Sequence, residues 1–244
     1  MNSVCMATYN GADYVSEQIS SILRNLEKED ELIVSDDGSV DETLEIIRDF
    51  QSRDERIRLL TGSHQGIISN FSRAIEASSG EFIFLSDQDD VWSNNKVSKV
   101  MGAFQERPEA KVIVHNARLI DSTGKRLPTT LFELRQSKPG LMKNIIKNSY
   151  VGCCMAFRRS VLAKAMPIPK KVAMHDWWIG LWGEIEQGSV FINEELMGYR
   201  RHETNASSLS HSSVGIMISN RLTITTELLI RAVQVKLGLN DAED

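Results

Sequence analysis

Apolar positions in the first ninety residues follow two alternating periods. Residues 3–8, 31–35, 57–60 and 81–86 are short, nearly continuous apolar runs, the form taken by strands buried on both faces. Between them the apolar residues space out as on a helix. One helix is predicted over 12–26, with Val15, Ile19, Ile22, Leu23 and Leu26 on one face. A second, capped by Asp41, carries Leu44, Ile47 and Phe50, and a third covers 67–78 and is closed by Gly80. Three strand–helix–strand repeats predict a parallel sheet held between helices. The second half is less regular. It reads as a strand over 111–119, an excursion over 125–139, and a strand over 150–157 around Gly152 and Cys153. A helix opened by Asp176 and a late strand over 196–202 follow. From Val214 a helical segment carries Ile218, Leu222, Leu229, Val233 and Leu237 along one face, for which packing on its own domain, self-association and membrane-surface contact are all open.

Composition narrows the classes. The chain has 244 residues, 41% of them hydrophobic, which suits one large domain or one domain with appendages. A formal charge of −5, with both signs mixed along the chain, speaks against a nucleic-acid partner. Cys5, Cys153 and Cys154 are odd in number and include an adjacent pair, so neither a disulfide framework nor a CxxC metal site fits. They read as small buried apolar residues of a reducing cytoplasm. No basic leader precedes the first strand and no apolar run approaches the ~20 residues that span a bilayer. The expectation is a cytoplasmic protein, at most peripheral to the inner face of a membrane.

Open parallel sheets bind ligands beyond the carboxyl ends of their strands. There this chain places Tyr9-Asn10-Gly11, Asp36-Asp37-Gly38-Ser39 and Asp87-Gln88-Asp89-Asp90. Carboxylates at i and i+2 just past a strand can converge on one hard cation, and such a cation can bridge the phosphates of a nucleotide. Neither GxGxxG nor GxxxxGK[ST] occurs, so the phosphates are not met by a glycine-rich loop. Each candidate has a plainer reading. Asp36 and Asp37 can brace their own turn, Asp90 and Asp176 can cap helices, and Trp177 and Trp178 can be core aromatics.

Five motifs in order complete the picture: Val4-Cys-Met-Ala-Thr-Tyr-Asn-Gly11, Ser35-Asp-Asp-Gly-Ser39, Phe84-Leu-Ser-Asp-Gln-Asp-Asp-Val-Trp92, His175-Asp-Trp-Trp178 and Tyr199-Arg-Arg-His202. Through them the chain resembles family 2 glycosyltransferases, and looks most like the bacterial rhamnosyltransferase type, up to His202. The resemblance implies an α/β fold of the GT-A type: a Rossmann-like, mostly parallel sheet flanked by helices, with an acceptor-side C-terminal region. It implies a domain over 1–210, split into a nucleotide-sugar half (1–93) and an acceptor half (94–210), followed by a helical extension over 211–244. By the same resemblance Ala7, Thr8 and Tyr9 cradle base and ribose, and Asp36 and Asp37 hold the base. Asp87 and Asp89 form the DXD element, with Asp89 the metal contact. His202 reaches the metal or the diphosphate, Asp176 is the catalytic base, and Trp177 or Trp178 faces the acceptor. Ala7 stands where proline is frequent and Arg201 where glutamine is common. The implied activity is inverting transfer from a dTDP- or UDP-linked sugar to a saccharide or lipid-linked acceptor with Mn²⁺ or Mg²⁺, in bacterial surface polysaccharide synthesis. A nucleotidyltransferase and a non-catalytic nucleotide-sugar-binding module remain as alternatives, and homodimerisation stays open.

Overall fold

Strand β1 (Asn2–Thr8) runs through the middle of the sheet, and only its first residue escapes full burial. The computed structural model describes residues 1–202 and 213–238. The expected end of the 1–210 domain and both ends of the 211–244 extension fall in 203–212 and 239–244, outside the described residues. The first half contains α1 (Val15–Leu23), β2 (Glu31–Asp36), α2 (Thr43–Arg53), β3 (Ile57–Thr61), α3 (Ile67–Ala77) and β4 (Phe82–Ser86). These strands lie in the order β3-β2-β1-β4, all parallel. The order reverses direction between β1 and β4, which opens the crevice where ligands of such sheets bind.

The second half adds β5 (Val91–Trp92), α4 (Lys96–Glu106), β6 (Val112–Ile120), β7 (Arg126–Thr130), α5 (Leu131–Arg135), α6 (Leu141–Ile146), β8 (Met155–Arg158), α7 (Leu162–Ala165), α8 (His175–Ile185), β9 (Ser189–Arg200) and α9 (Val214–Leu237). Strand β8 enters antiparallel beside β4, and β6 and β9 continue the same sheet, so both halves share one core. The sheet is parallel in its first half and mixed beyond it.

Several boundaries differ from the sequence reading, each for a local reason. Helix α1 begins at Val15, because the Gly11 carbonyl already accepts the N–H groups of Tyr14 and Val15 in a turn. Asp41 is not the N-cap of α2. It sits one residue earlier, where its carboxylate accepts from the backbone of Thr43 and of Ala12. Gly80 does not close α3 in a left-handed conformation. Its N–H donates to Ser3 Oγ, and a Cβ there would lie 2.6 Å from the Ser3 nitrogen, so close strand approach excludes any side chain. The strand expected over 150–157 exists only from Met155, because Gly152–Cys154 winds into a 3₁₀ turn. The stripe Ile218, Leu222, Leu229, Val233 and Leu237 of α9 faces solvent, and the helix buries Ile224, Leu228 and Arg231 instead.

Candidate active site

The crevice between β1 and β4 is bridged by a side chain. Tyr9 N–H donates to Gln88 Oε1 at 2.8 Å, and Gln88 Nε2 donates back to the Tyr9 carbonyl at 3.1 Å. The loop after β4 is thereby fastened to the loop after β1. From α1, Gln18 Nε2 donates to Ser86 Oγ and the Asp87 carbonyl, which supports the same loop from beneath. Tyr9 itself is half exposed, edge-on to His64 at 5.2 Å. Ala7 lies in the core and Thr8 is buried.

The two aspartates after β2 take different jobs. Asp36 accepts four hydrogen bonds, from Thr8 Oγ1, Gly38 N–H, Ser39 N–H and Ser39 Oγ. A carboxylate offers about four lone-pair sites, so Asp36 is consumed by its own turn, whose Gly38 has the positive φ of +91° that glycine favours. Asp37 accepts from Gln65 and Gly66 N–H at the entry to α3 and lies 3.6 Å from Arg73, which leaves it acceptor capacity.

The acidic loop forms the centre of the site. His202 Nε2 lies 2.8 Å from Asp89 Oδ2, and the imidazole stacks on Tyr14 with centroids 4.9 Å apart. Asp87, Asp90 and Cys153 bring potential ligand atoms within 4.8 Å of one another. Burial first, then the charges of Asp89 and Asp176, push the Asp87 carboxyl up to about 7. Burial, Asp89 and Asp87 raise that of Asp90 well above its usual range. Asp90 is held by Arg200 N–H at Oδ1, while its buried Oδ2 finds no hydrogen-bond partner among the described residues. Burial holds the Cys153 thiol well above its ordinary value, so it is protonated and is no ligand for a hard cation. Crowded carboxylates that raise one another's pKa, with a histidine beside them and an orphaned buried oxygen, suit Mg²⁺ or Mn²⁺.

Asp176 stands in the first turn of α8 and is not its N-cap, since the helix starts at His175 after Met174. Its carboxylate accepts Trp177 N–H at 2.6 Å and Gly152 N–H at 2.9 Å. The 3₁₀ turn at Gly152–Cys154 serves this contact by aiming an N–H at Asp176. Asp176 thereby lies at the edge of the acidic cluster, since Cys153, next to the Gly152 whose N–H it accepts, has its sulfur within 4.8 Å of carboxylate oxygens of Asp87 and Asp90. Trp177 and Trp178 depart from expectation. Both are buried, with indole N–H groups donated to the Asn144 and Ala165 carbonyls, and they pack the core instead of facing an acceptor. Arg201 closes β9 with its N–H on the Ile120 carbonyl.

Two buried cations escape the sequence reading. Lys96 Nζ donates to the Cys153 carbonyl at 2.7 Å and sits 3.8 Å from the Trp92 ring centroid. Burial lowers its ammonium to about 8. Arg200 Nε donates to the Asp89 carbonyl, and its guanidinium pairs with Glu17 over the Tyr14 ring. Nothing in the local sequence marks Lys96, whereas Arg200 lies inside the Tyr199–His202 motif.

Comparison with known proteins agrees with this architecture. The dTDP-rhamnosyl transferase RfbG of Shigella flexneri is 27% identical over 221 residues, spanning 82% of this chain and 72% of that protein. The structure of S. aureus TarS 1-349 in complex with UDP-GlcNAc matches with a TM-score of 0.70 at 18% identity, covering 94% of this chain and 72% of that one. The mannosyltransferase PcManGT from Pyrobaculum calidifontis, in complex with GDP-Man and Mn²⁺, matches with a TM-score of 0.66 at 13% identity, covering 100% of this chain and 76% of that one. The fold is of the GT-A type. The family model "Glycosyl transferase family 2" matches residues 3–165, two-thirds of the sequence, and the chain belongs to that family.

Proposed function

We propose that this protein is a metal-dependent inverting glycosyltransferase that takes a sugar from a dTDP- or UDP-linked donor. The observation that carries the reading is the acidic loop after β4, with Asp89 paired to His202, Asp87 beside Asp90 and Cys153, and Asp176 bonded to the neighbouring Gly152 N–H. Asp89, Asp87 and His202 would hold the cation. When bound it would offset charge on the departing nucleoside diphosphate. Asp37, with acceptor capacity to spare, takes the base N–H, and Tyr9 offers an exposed ring to the base. Asp36 shapes the turn. Asp176 accepts the proton of the acceptor hydroxyl as that oxygen attacks the anomeric carbon. Two backbone N–H donors, from Gly152 and Trp177, fix the orientation of its carboxylate for the role of general base. No protein nucleophile is invoked, in keeping with single displacement and inversion.

The rhamnosyl activity named for RfbG supports rhamnose as the donor sugar and surface polysaccharide synthesis as the setting. A saccharide or lipid-linked acceptor at the cytoplasmic face of the membrane completes the proposal. Residues 1–93 serve as the nucleotide-sugar half and 94–210 as the acceptor half, with 211–244 as an extension.

The test uses two variants. Asp89→Asn should weaken nucleoside diphosphate binding measured calorimetrically with Mn²⁺ and change little without it. Asp176→Asn should keep the nucleotide affinity and lose about 1–3 kcal/mol of stability, because its amide nitrogen faces one of the two N–H groups the carboxylate accepts, while transfer falls by the 10²–10⁴ typical of a lost general base. Near-normal turnover in Asp176→Asn would return that residue to a structural role.

A further inference from the structure

We infer that α5, α6 and the outward face of α9 together form a surface that docks on an anionic lipid bilayer. Helix α9 is 24 residues long, about 36 Å, and touches the body of the protein along one side only. Its opposite side leaves Leu222 65% and Leu229 64% exposed, with Ile218, Val233 and Leu237 in the same row. A long apolar strip on a folded surface marks a contact with something else.

The neighbouring elements say what that is. On α6 Met142 is 67% and Ile146 61% exposed, and Leu134 of α5 adds a third apolar side chain. Arg221 Nε donates to the Ile146 carbonyl at 2.7 Å, so α6 meets α9 near Leu222, the next residue, and Ile218, one turn before it. Interleaved with these apolar residues are Arg135, Lys138, Lys143 and Lys147, and residues 134–147 contain no acid at all. Burial and the charges of Lys138 and Lys147 hold the Lys143 ammonium below its usual value. A chain of net charge −5 has therefore gathered four cations around these exposed apolar residues, with Glu184 of α8 the acid that reaches Lys143 from the protein side and Glu133 at the near end of the segment. Apolar side chains ringed by lysine match the headgroup–acyl boundary of an anionic bilayer. A second copy fits less well. Two-fold pairing through α9 would bring two basic clusters together, while α9 itself contributes one acid, Glu227.

The surface lies one helix behind the catalytic candidate, since the Asn144 carbonyl of α6 holds the indole of Trp177, the residue after Asp176. No helix among the described residues is long and apolar enough to cross a membrane, so the contact is one of lying on the bilayer. The docking does not depend on which nucleotide sugar is used.

Flotation with phosphatidylcholine vesicles, with and without phosphatidylglycerol, tests it. The full chain should float with the phosphatidylglycerol vesicles, more weakly as salt rises, and stay behind with neutral ones. Lys138→Glu/Lys147→Glu should lower binding about fivefold or more for each lysine removed. Leu222→Ser/Leu229→Ser should lower it as well. Both variants alter exposed side chains and should keep the melting temperature and the Mn²⁺-dependent nucleotide affinity of the wild type. Absence of flotation, or flotation indifferent to both variants, overturns the inference. So does a dimer in sedimentation analysis that Leu222→Ser/Leu229→Ser dissolves while vesicles bind nothing, since the occupant is then a second copy. Flotation by a protein that binds no nucleotide would sink the proposed transfer and leave the docking intact.

Discussion

Arg200 holds the acidic loop from several directions. Its N–H donates to Asp90 Oδ1, Nε to the Asp89 carbonyl, one terminal nitrogen to the Ser122 carbonyl and the other to Glu17. Arg200→Lys would keep the charge but lose the planar fork that reaches three acceptors at once. The expected outcome is a loss of about 1–3 kcal/mol in Mn²⁺-dependent nucleotide affinity, with a smaller change when metal is left out. Equal titrations for the two proteins in Mn²⁺ would remove Arg200 from the site. The sequence could not announce this role. Two arginines stand side by side in Tyr199-Arg-Arg-His202, and only the end of β9 decides that Arg200 turns inward. Asp36 and Asp37 pose the same problem. Both read as binding or turn residues, and hydrogen bonds from Thr8 and Ser39, 28 and 3 residues away, separate them. Trp177 and Trp178 fail for the opposite reason, because an aromatic beside a catalytic candidate looks functional until its ring is found in the core.

Between elements, Glu31 is the clearest staple. It begins β2, and its Oε1 accepts from Ser3 Oγ on β1 and from the N–H and Oγ of Ser79 in the turn before β4. Burial alone would raise its pKa, but these bonds outweigh burial and lower it below the usual 4.5. A carboxylate with a lowered folded-state pKa contributes stability above its unfolded value and loses it as pH falls through the folded value. Wild type should therefore lose stability below about pH 4.5 through this group. Glu31→Gln should be weaker by about 1 kcal/mol at neutral pH, a figure reduced for a half-exposed site, with the gap closing in acid. Denaturant melts of both proteins between neutral pH and pH 3 would show a gap that does not close if Glu31 is not the titrating staple. The parallel half was legible because continuous apolar runs and helical spacing agree there. Gly152–Cys154 was not, since small apolar residues read as a strand while the demand for an N–H on Asp176 winds them into a turn. The stripe on α9 was seen, but periodicity tells which residues share a face and not what lies against it.

For the whole molecule, family membership, the GT-A fold and the crevice between β1 and β4 converge on one expectation about ligand binding. A ligand that binds only the folded chain raises its stability by RT ln(1 + [L]/Kd), about 2.7 kcal/mol at a hundred times Kd. For a chain of 244 residues each kcal/mol moves the melting temperature by about 2–4 °C, so a saturating nucleoside diphosphate should raise it by about 5–11 °C. Calorimetric or dye-based melts with UDP, dTDP and GDP, each with Mn²⁺, Mg²⁺ or neither, test the reading without any acceptor. The pyrimidine diphosphates should exceed GDP, and the gain should need the cation because the acidic loop over 87–90 repels a bare diphosphate. Asp89→Asn should lose the cation-dependent part and Asp176→Asn should keep all of it, since Asp176 is assigned to the acceptor side. A large gain from GDP alone would leave glycosyl transfer standing and overturn the dTDP- or UDP-linked donor. Equal gains with and without metal would mean that the diphosphate is met by the protein's own cations, and the role assigned to Asp87, Asp89 and His202 would fall.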